Sequence, residues 1–112
     1  MEHTEDLLQA DVCLTLSAMG VYFFAVPNSA AGKVSMARAN RLRATGLRAG
    51  VADLVVMRKD GIACFLEIKT KKGKLSPAQD NFRILCAARS WRWGIARSVV
   101  EAVDLCRTWG VI

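Results

Sequence analysis

Asp53-Leu54-Val55-Val56-Met57, then Lys59-Asp60-Gly61, then Ile62-Ala63-Cys64-Phe65-Leu66-Glu67-Ile68-Lys69 is the stretch whose reading decides the fold of this 112-residue chain. The first five residues read as a buried strand, Asp60-Gly61 as a tight turn, and Ile62–Lys69 as the returning antiparallel strand. Side chains alternate along a strand, so Cys64, Leu66 and Ile68 share one face while Phe65, Glu67 and Lys69 share the other. Asp53 and Glu67 each lie seven residues from Asp60, so the hairpin sets them beside one another. Two acids on adjacent strands, with a lysine two positions beyond the second, make a charged cluster in otherwise apolar strands.

Neighbouring carboxylates repel, which raises a pKa or calls for a cation. Oxygen donors suit Mg²⁺ or Mn²⁺, which keep water and substrate phosphate in the rest of their shell. Lys69 could then place or deprotonate a water, or offset phosphoryl charge. That combination points to metal-assisted phosphodiester hydrolysis. The structural alternative is a Glu67–Lys69 pair at a sheet edge.

Working outward, Thr4–Met19 reads as a helix capped by Thr4 and stopped by Gly20, with Leu8, Val12, Leu16 and Met19 as its buried stripe. Glu5 falls on that stripe, either as a functional carboxylate or as an acid favoured by the helix N-terminus. Val21–Val26 is a β-rich run ended by Pro27-Asn28-Ser29, and residues 34–45 form a basic helix after a loop. Ser76-Pro77-Ala78-Gln79 opens a further helix, with Ser76 as cap and Gln79 placed for a capping box. Phe82, Trp91, Trp93 and Trp109 are expected to pack with that helix, with base stacking the alternative for Trp91. A short strand over Trp91–Arg97 and a helix over Val99–Thr108 complete an α-β-(α)-β-β-α-β-α order in a single domain spanning 1–112.

The formal charge of +6 is a net of opposed populations. Residues 1–11 hold four acids and no base, so beyond them sixteen bases face six acids. Lys33, Arg38, Arg41, Arg43 and Arg48 form one basic run and Lys69, Lys71, Lys72 and Lys74 another, on either side of the acid pair. Each run alone is commonly a solvated face; two runs flanking one site suggest phosphate binding. Cys13, Cys64, Cys86 and Cys106 include no CxxC and sit in apolar segments, and His3 has no partner histidine, so buried thiols are expected and a zinc site is not. The uncharged run Val12–Gly32 is interrupted by Gly20 and Pro27, too short an apolar stretch for a bilayer helix; a cytoplasmic protein is expected.

Gly50-Val-Ala-Asp53, a thirteen-residue gap and Glu67-Ile-Lys69 resemble the PD-(D/E)XK nuclease signature. Together with Glu5-Asp-Leu-Leu-Gln9, Pro27-Asn28, Arg41-Leu-Arg-Ala-Thr-Gly46 and Gly73-Lys-Leu-Ser-Pro-Ala-Gln79, the chain resembles a stand-alone VRR-NUC domain of the phage and bacterial type. The resemblance implies an α/β fold with a restriction-endonuclease-like α-β-β-β-α-β core and a mixed central sheet flanked by helices. It also implies Asp53, Glu67 and the carbonyl of Ile68 as metal ligands, Glu5 completing the acidic site, Lys69 as catalytic lysine and Gln79 as a site residue. For Gln79, capping and a site role are expected to exclude each other. Asn28, Lys33, Arg38, Arg41, Lys71, Lys72 and Lys74 are the candidate DNA contacts. Ala52 stands where the family usually has proline, which donates no ligand.

The activity so implied is a Mg²⁺- or Mn²⁺-dependent DNA endonuclease, acting on branched or four-way junction DNA as a homodimer in a bacterial host cell. Two rivals remain at this stage. One is a nicking or restriction-like nuclease on linear duplex; the other is a non-catalytic basic nucleic-acid-binding module whose acidic cluster is structural.

Overall fold

The hairpin expected around Asp60-Gly61 forms the centre of the sheet. The structure, a computed structural model, describes residues 4–27 and 35–112. Asn28, Lys33, His3 and the loop expected before the basic helix lie outside the described residues. In chain order the elements are α1 (Glu5–Ala18), β1 (Tyr22–Ala25), α2 (Met36–Ala44), β2 (Leu54–Met57), β3 (Ala63–Ile68), α3 (Pro77–Arg89), β4 (Arg92–Ala96) and α4 (Val99–Thr108). The sheet runs β1-β2-β3-β4, with antiparallel β1/β2 and β2/β3 pairs and a parallel β3/β4 pair. A parallel neighbour requires a crossover, and α3 supplies it. The α/β architecture, a mixed four-stranded sheet flanked by helices, is the one expected.

Local chemistry explains the boundaries. Thr4 caps α1 by accepting from the Leu7 amide at 3.2 Å, and Glu5 and Asp6 face the positive helix end. Gly61 (φ +91°) closes the hairpin, where the Arg58 guanidinium also holds the Asp60 carboxylate at 2.7 Å. The carboxyl of Asp60 is accordingly held below its usual value, by its hydrogen bonds to the Ile62 amide and Arg58 against its desolvation.

The core lies between one sheet face and the α1/α4 pair. Leu8, Val12 and Leu16 from α1 meet Leu54, Val56, Cys64, Leu66 and Ile68 from the hairpin, closed by Ala102, Cys106 and Trp109. Gly94 allows that closure: a Cβ there would sit 2.8 Å from Leu105 Cδ2 and 3.2 Å from Trp109 Cζ2. All four cysteines are free thiols, three of them buried. Among the described residues no helix is long and apolar enough to cross a membrane.

Two packing expectations need correction. Met19 does not extend the α1 stripe; it is the C-cap, its backbone has left the helix, and the residue is 39% exposed. Trp109 does not pack on α3 either. It belongs to the α1/α4 core, whereas Trp91 stands at the end of α3 with the Arg89 guanidinium over its ring. What α3 covers is the other sheet face, where Phe82 meets Phe65 edge-on at 5.2 Å between centroids. Only Cys86 of α3 is fully buried, and Ile84 and Leu85 remain exposed.

Candidate active site

The hairpin register pairs Leu54 with Leu66, and one further step sets Asp53 beside Glu67. Asp53 precedes β2 and is fixed from both sides. Its carbonyl accepts from the Val26 amide at 2.9 Å, and its Oδ2 accepts from the Ile68 amide at 2.7 Å. Glu67 lies inside β3 and is 1% exposed. Its Oε1 accepts from Gln79 Nε2 at 3.0 Å, while its Oε2 is buried without a partner. Burial first, then the neighbouring Asp53 carboxylate, push Glu67 up to about 8. Lys69 opposes that rise and Glu5 adds to it.

Lys69 follows β3 directly and keeps the pairing with β4 going, its amide donating to the Ala96 carbonyl at 3.1 Å. The residue is 7% exposed, yet its Nζ reaches Glu5 Oε1 at 3.7 Å. Glu5 therefore enters the site through Lys69. Among the described residues no three His, Cys, Asp or Glu side chains are gathered as a metal-ligand cluster. Two carboxylates stand together, and Glu5 stands at their edge as the partner of the lysine.

Gln79 corrects an expectation. The Ser76 amide donates to its Oε1 at 2.8 Å, and its own amide donates to Ser76 Oγ at 3.2 Å, completing the capping box. Its Nε2 donates to Glu67 at the same time. Capping and a site role do not exclude each other, because the side-chain amide has an accepting end and a donating end.

Two further residues, Gly50 and Arg97, set this geometry. Gly50 (φ +84°) backs onto the start of α3, where a Cβ would lie 2.3 Å from the Ala78 carbonyl carbon and 2.7 Å from the Gln79 amide nitrogen. Only glycine lets Gln79 come this close to the acids. Arg97 donates from Nη1 to the carbonyls of Thr70 and Gly73 at 2.8 and 2.6 Å, clamping the loop after Lys69. Within that loop, a Cβ on Gly73 would meet Glu5 Oε1 and Lys69 Cδ at 3.4 Å each. The available signal for Arg97 was topological: it directly follows β4, whose parallel pairing brings it alongside the end of β3.

The basic candidates lie at the surface. Lys71, Lys72 and Lys74 are exposed in the segment after Lys69, and Arg38 and Arg41 are exposed on α2, whose one buried residue is Ala39. Ala52 is buried in the approach to Asp53.

The donors present fit a hard divalent cation. They are all oxygens, one of them is a buried carboxylate oxygen lacking any partner, and the two acids cannot both ionise cheaply without positive charge between them. No curated protein matches the chain. A solved structure described as a VRR_NUC domain superposes with a TM-score of 0.67 at 18% identity, covering 96% of this chain and 99% of that one, and so shares the fold. The family model for the VRR-NUC domain matches residues 22–100, from the first strand through Asp53, Glu67, Lys69 and Gln79 to the start of α4. With that match over most of its length, the chain belongs to the VRR-NUC family of nuclease-type domains.

Proposed function

We propose that this protein is a divalent-metal-dependent DNA endonuclease that selects branched or four-way junction DNA and works as a homodimer. The observation that carries the metal-dependent part is the partnerless Oε2 of Glu67, buried beside Asp53 and next to Lys69. Asp53, Glu67 and the Ile68 carbonyl would hold Mg²⁺ or Mn²⁺, with Glu5 completing the site. When bound, the ion supplies Lewis acidity toward the scissile phosphate and neutralises the acids. Gln79 fixes the Glu67 carboxylate by holding Oε1. Lys69, its stem buried and its ammonium steadied by Glu5, orients or deprotonates the attacking water or offsets phosphoryl charge. Lys71, Lys72, Lys74, Arg38 and Arg41, with Asn28 and Lys33, would hold the backbone phosphates, and a two-fold dimer suits the symmetry of a four-way junction.

The test is cleavage of linear, nicked, flap and four-way DNA with Mg²⁺, with Mn²⁺ and with chelator, alongside sedimentation of the free protein. The expected result is a dimer that cuts the branched substrates at least about tenfold faster than linear duplex and is silent in chelator. Equal cutting of linear duplex would favour a nicking or restriction-like enzyme. Salt-sensitive binding with no cutting under either metal would leave only a binding module.

Lys69 separates catalysis from metal binding. Lys69→Ala is expected to lose about 10²- to 10³-fold in cleavage rate while calorimetric metal affinity stays within about threefold. Loss of metal affinity along with the rate would contradict the role given to this lysine.

A further inference from the structure

Beside the acidic site, a cleft of about 820 Å³ opens between α3 and the segment that follows α2. Phe82, Leu85 and Trp91 supply its apolar lining, and Arg43, Arg48 and Asn81 its polar lining; no carboxylate lines it. Its lining also includes Val51 and Ala78, the immediate neighbours of Gly50 and Gln79. The close Gly50–Ala78 packing is therefore a wall shared with the acidic site.

Trp91 is both held and open. Phe65 lies 6.1 Å from its ring centre at 49°, the Arg89 guanidinium lies 5.7 Å from it, and the Trp91 amide donates to the Cys86 carbonyl at 2.9 Å. The preceding residue, Ser90, takes a left-handed conformation (φ 59°), unusual for a residue with a side chain, and so turns the chain out of α3. Despite these restraints the indole is 43% exposed. A fixed, exposed indole in an apolar cleft with two guanidiniums and no acid is complementary to a nucleotide, which presents a flat apolar base and an anionic phosphate.

We propose that this cleft takes an unpaired nucleobase of the DNA substrate, stacked on Trp91 between Phe82 and Leu85, with Arg43 and Arg48 on the adjoining phosphates. The inference rests on the nuclease reading of the neighbouring acids and deepens it. Branched substrates that carry an unpaired base, such as flaps, would gain from the cleft, and a four-way junction would gain where a pair at its crossover opens, whereas a continuous duplex offers no free base. Stacking of one base on an aromatic side chain is commonly worth about tenfold or more in affinity.

The test uses two DNA duplexes, one carrying a single unpaired nucleotide and one carrying an abasic residue in the same place, titrated in chelator by fluorescence anisotropy. Wild-type protein is expected to bind the base-bearing duplex about tenfold more tightly. Trp91→Ala should bind both with the abasic affinity, and Trp91→Tyr should restore the preference. Arg48→Ala should weaken both complexes alike and make both less salt-dependent. No preference in the wild type, or an undiminished one in Trp91→Ala, overturns the proposal. So does a self-associated wild type whose Leu85→Lys variant becomes monomeric, since a second copy then occupies the cleft. A parallel arm with Mg²⁺ or Mn²⁺ keeps the two readings apart. A base preference without cleavage defeats the nuclease and supports the cleft; cleavage without a base preference does the reverse.

Discussion

Asp53→Asn is expected to lower strand cleavage by at least about 10³-fold, with the fold and DNA affinity nearly unchanged. The substitution is close to isosteric. Asparagine can keep its side-chain oxygen on the Ile68 amide, now bonded to Asp53 Oδ2 at 2.7 Å, so the approach to β2 keeps its geometry. What disappears is the negative charge that, after burial, does most to raise Glu67. The variant therefore relieves repulsion in the metal-free site, and a loss of activity cannot be blamed on unfolding. DNA affinity should stay within about threefold, because the exposed basic residues that would meet phosphates are untouched. Initial rates at saturating Mg²⁺ and Mn²⁺, with filter binding in chelator and a thermal melt, measure all three quantities. Cleavage within about tenfold of wild type would remove Asp53 from the site.

The pairing of Asp53 with Glu67 was legible because it depends on counting. A D-G turn fixes the hairpin register, and a two-residue period fixes the face. Burial was also legible for residues inside regular elements, such as Leu8, Val12 and Leu16 on α1, but it failed at the C-cap, where helical spacing no longer holds. Trp109 went to the wrong layer because hydrophobicity says that a side chain is buried without saying against what. Gln79 was misjudged for a different reason. A capping signature describes one end of the amide, and only three-dimensional structure shows that the other end meets Glu67. Arg97 and Gly50 act on backbone atoms distant in sequence, Thr70 and Gly73 for the arginine and Ala78 for the glycine, and no local pattern announces such contacts.

Glu67→Gln is expected to abolish cleavage and, in chelator, to make the protein more stable than wild type above pH 8. Folding lifts the carboxyl from its ordinary 4.5 to about 8, chiefly through burial and Asp53. Between those values the folded protein holds a proton that the unfolded chain has released, so wild-type stability falls as pH rises from 4.5 to 8 and then levels off. The loss is on the order of 3–5 kcal/mol, which for a domain of this size corresponds to at least about 8 °C in Tm. Glutamine escapes it. Its oxygen still accepts from Gln79 Nε2, and its NH₂ can donate toward Asp53 from the position where Oε2 now lacks a partner. Subtracting the two melting curves removes the titrating groups that do not interact with Glu67, and the gap should grow from near zero at pH 4.5 to its full value at pH 8.5. Saturating Mg²⁺ or Mn²⁺ should close most of that gap, because an ion bound only by the folded wild type at 100 times its Kd adds about 2.7 kcal/mol, whereas the variant has lost a ligand. Narrowing of the gap on adding metal would mean that the same buried oxygen weakens the metal-free fold and holds the ion. Parallel curves, unmoved by metal, would show that Glu67 does neither.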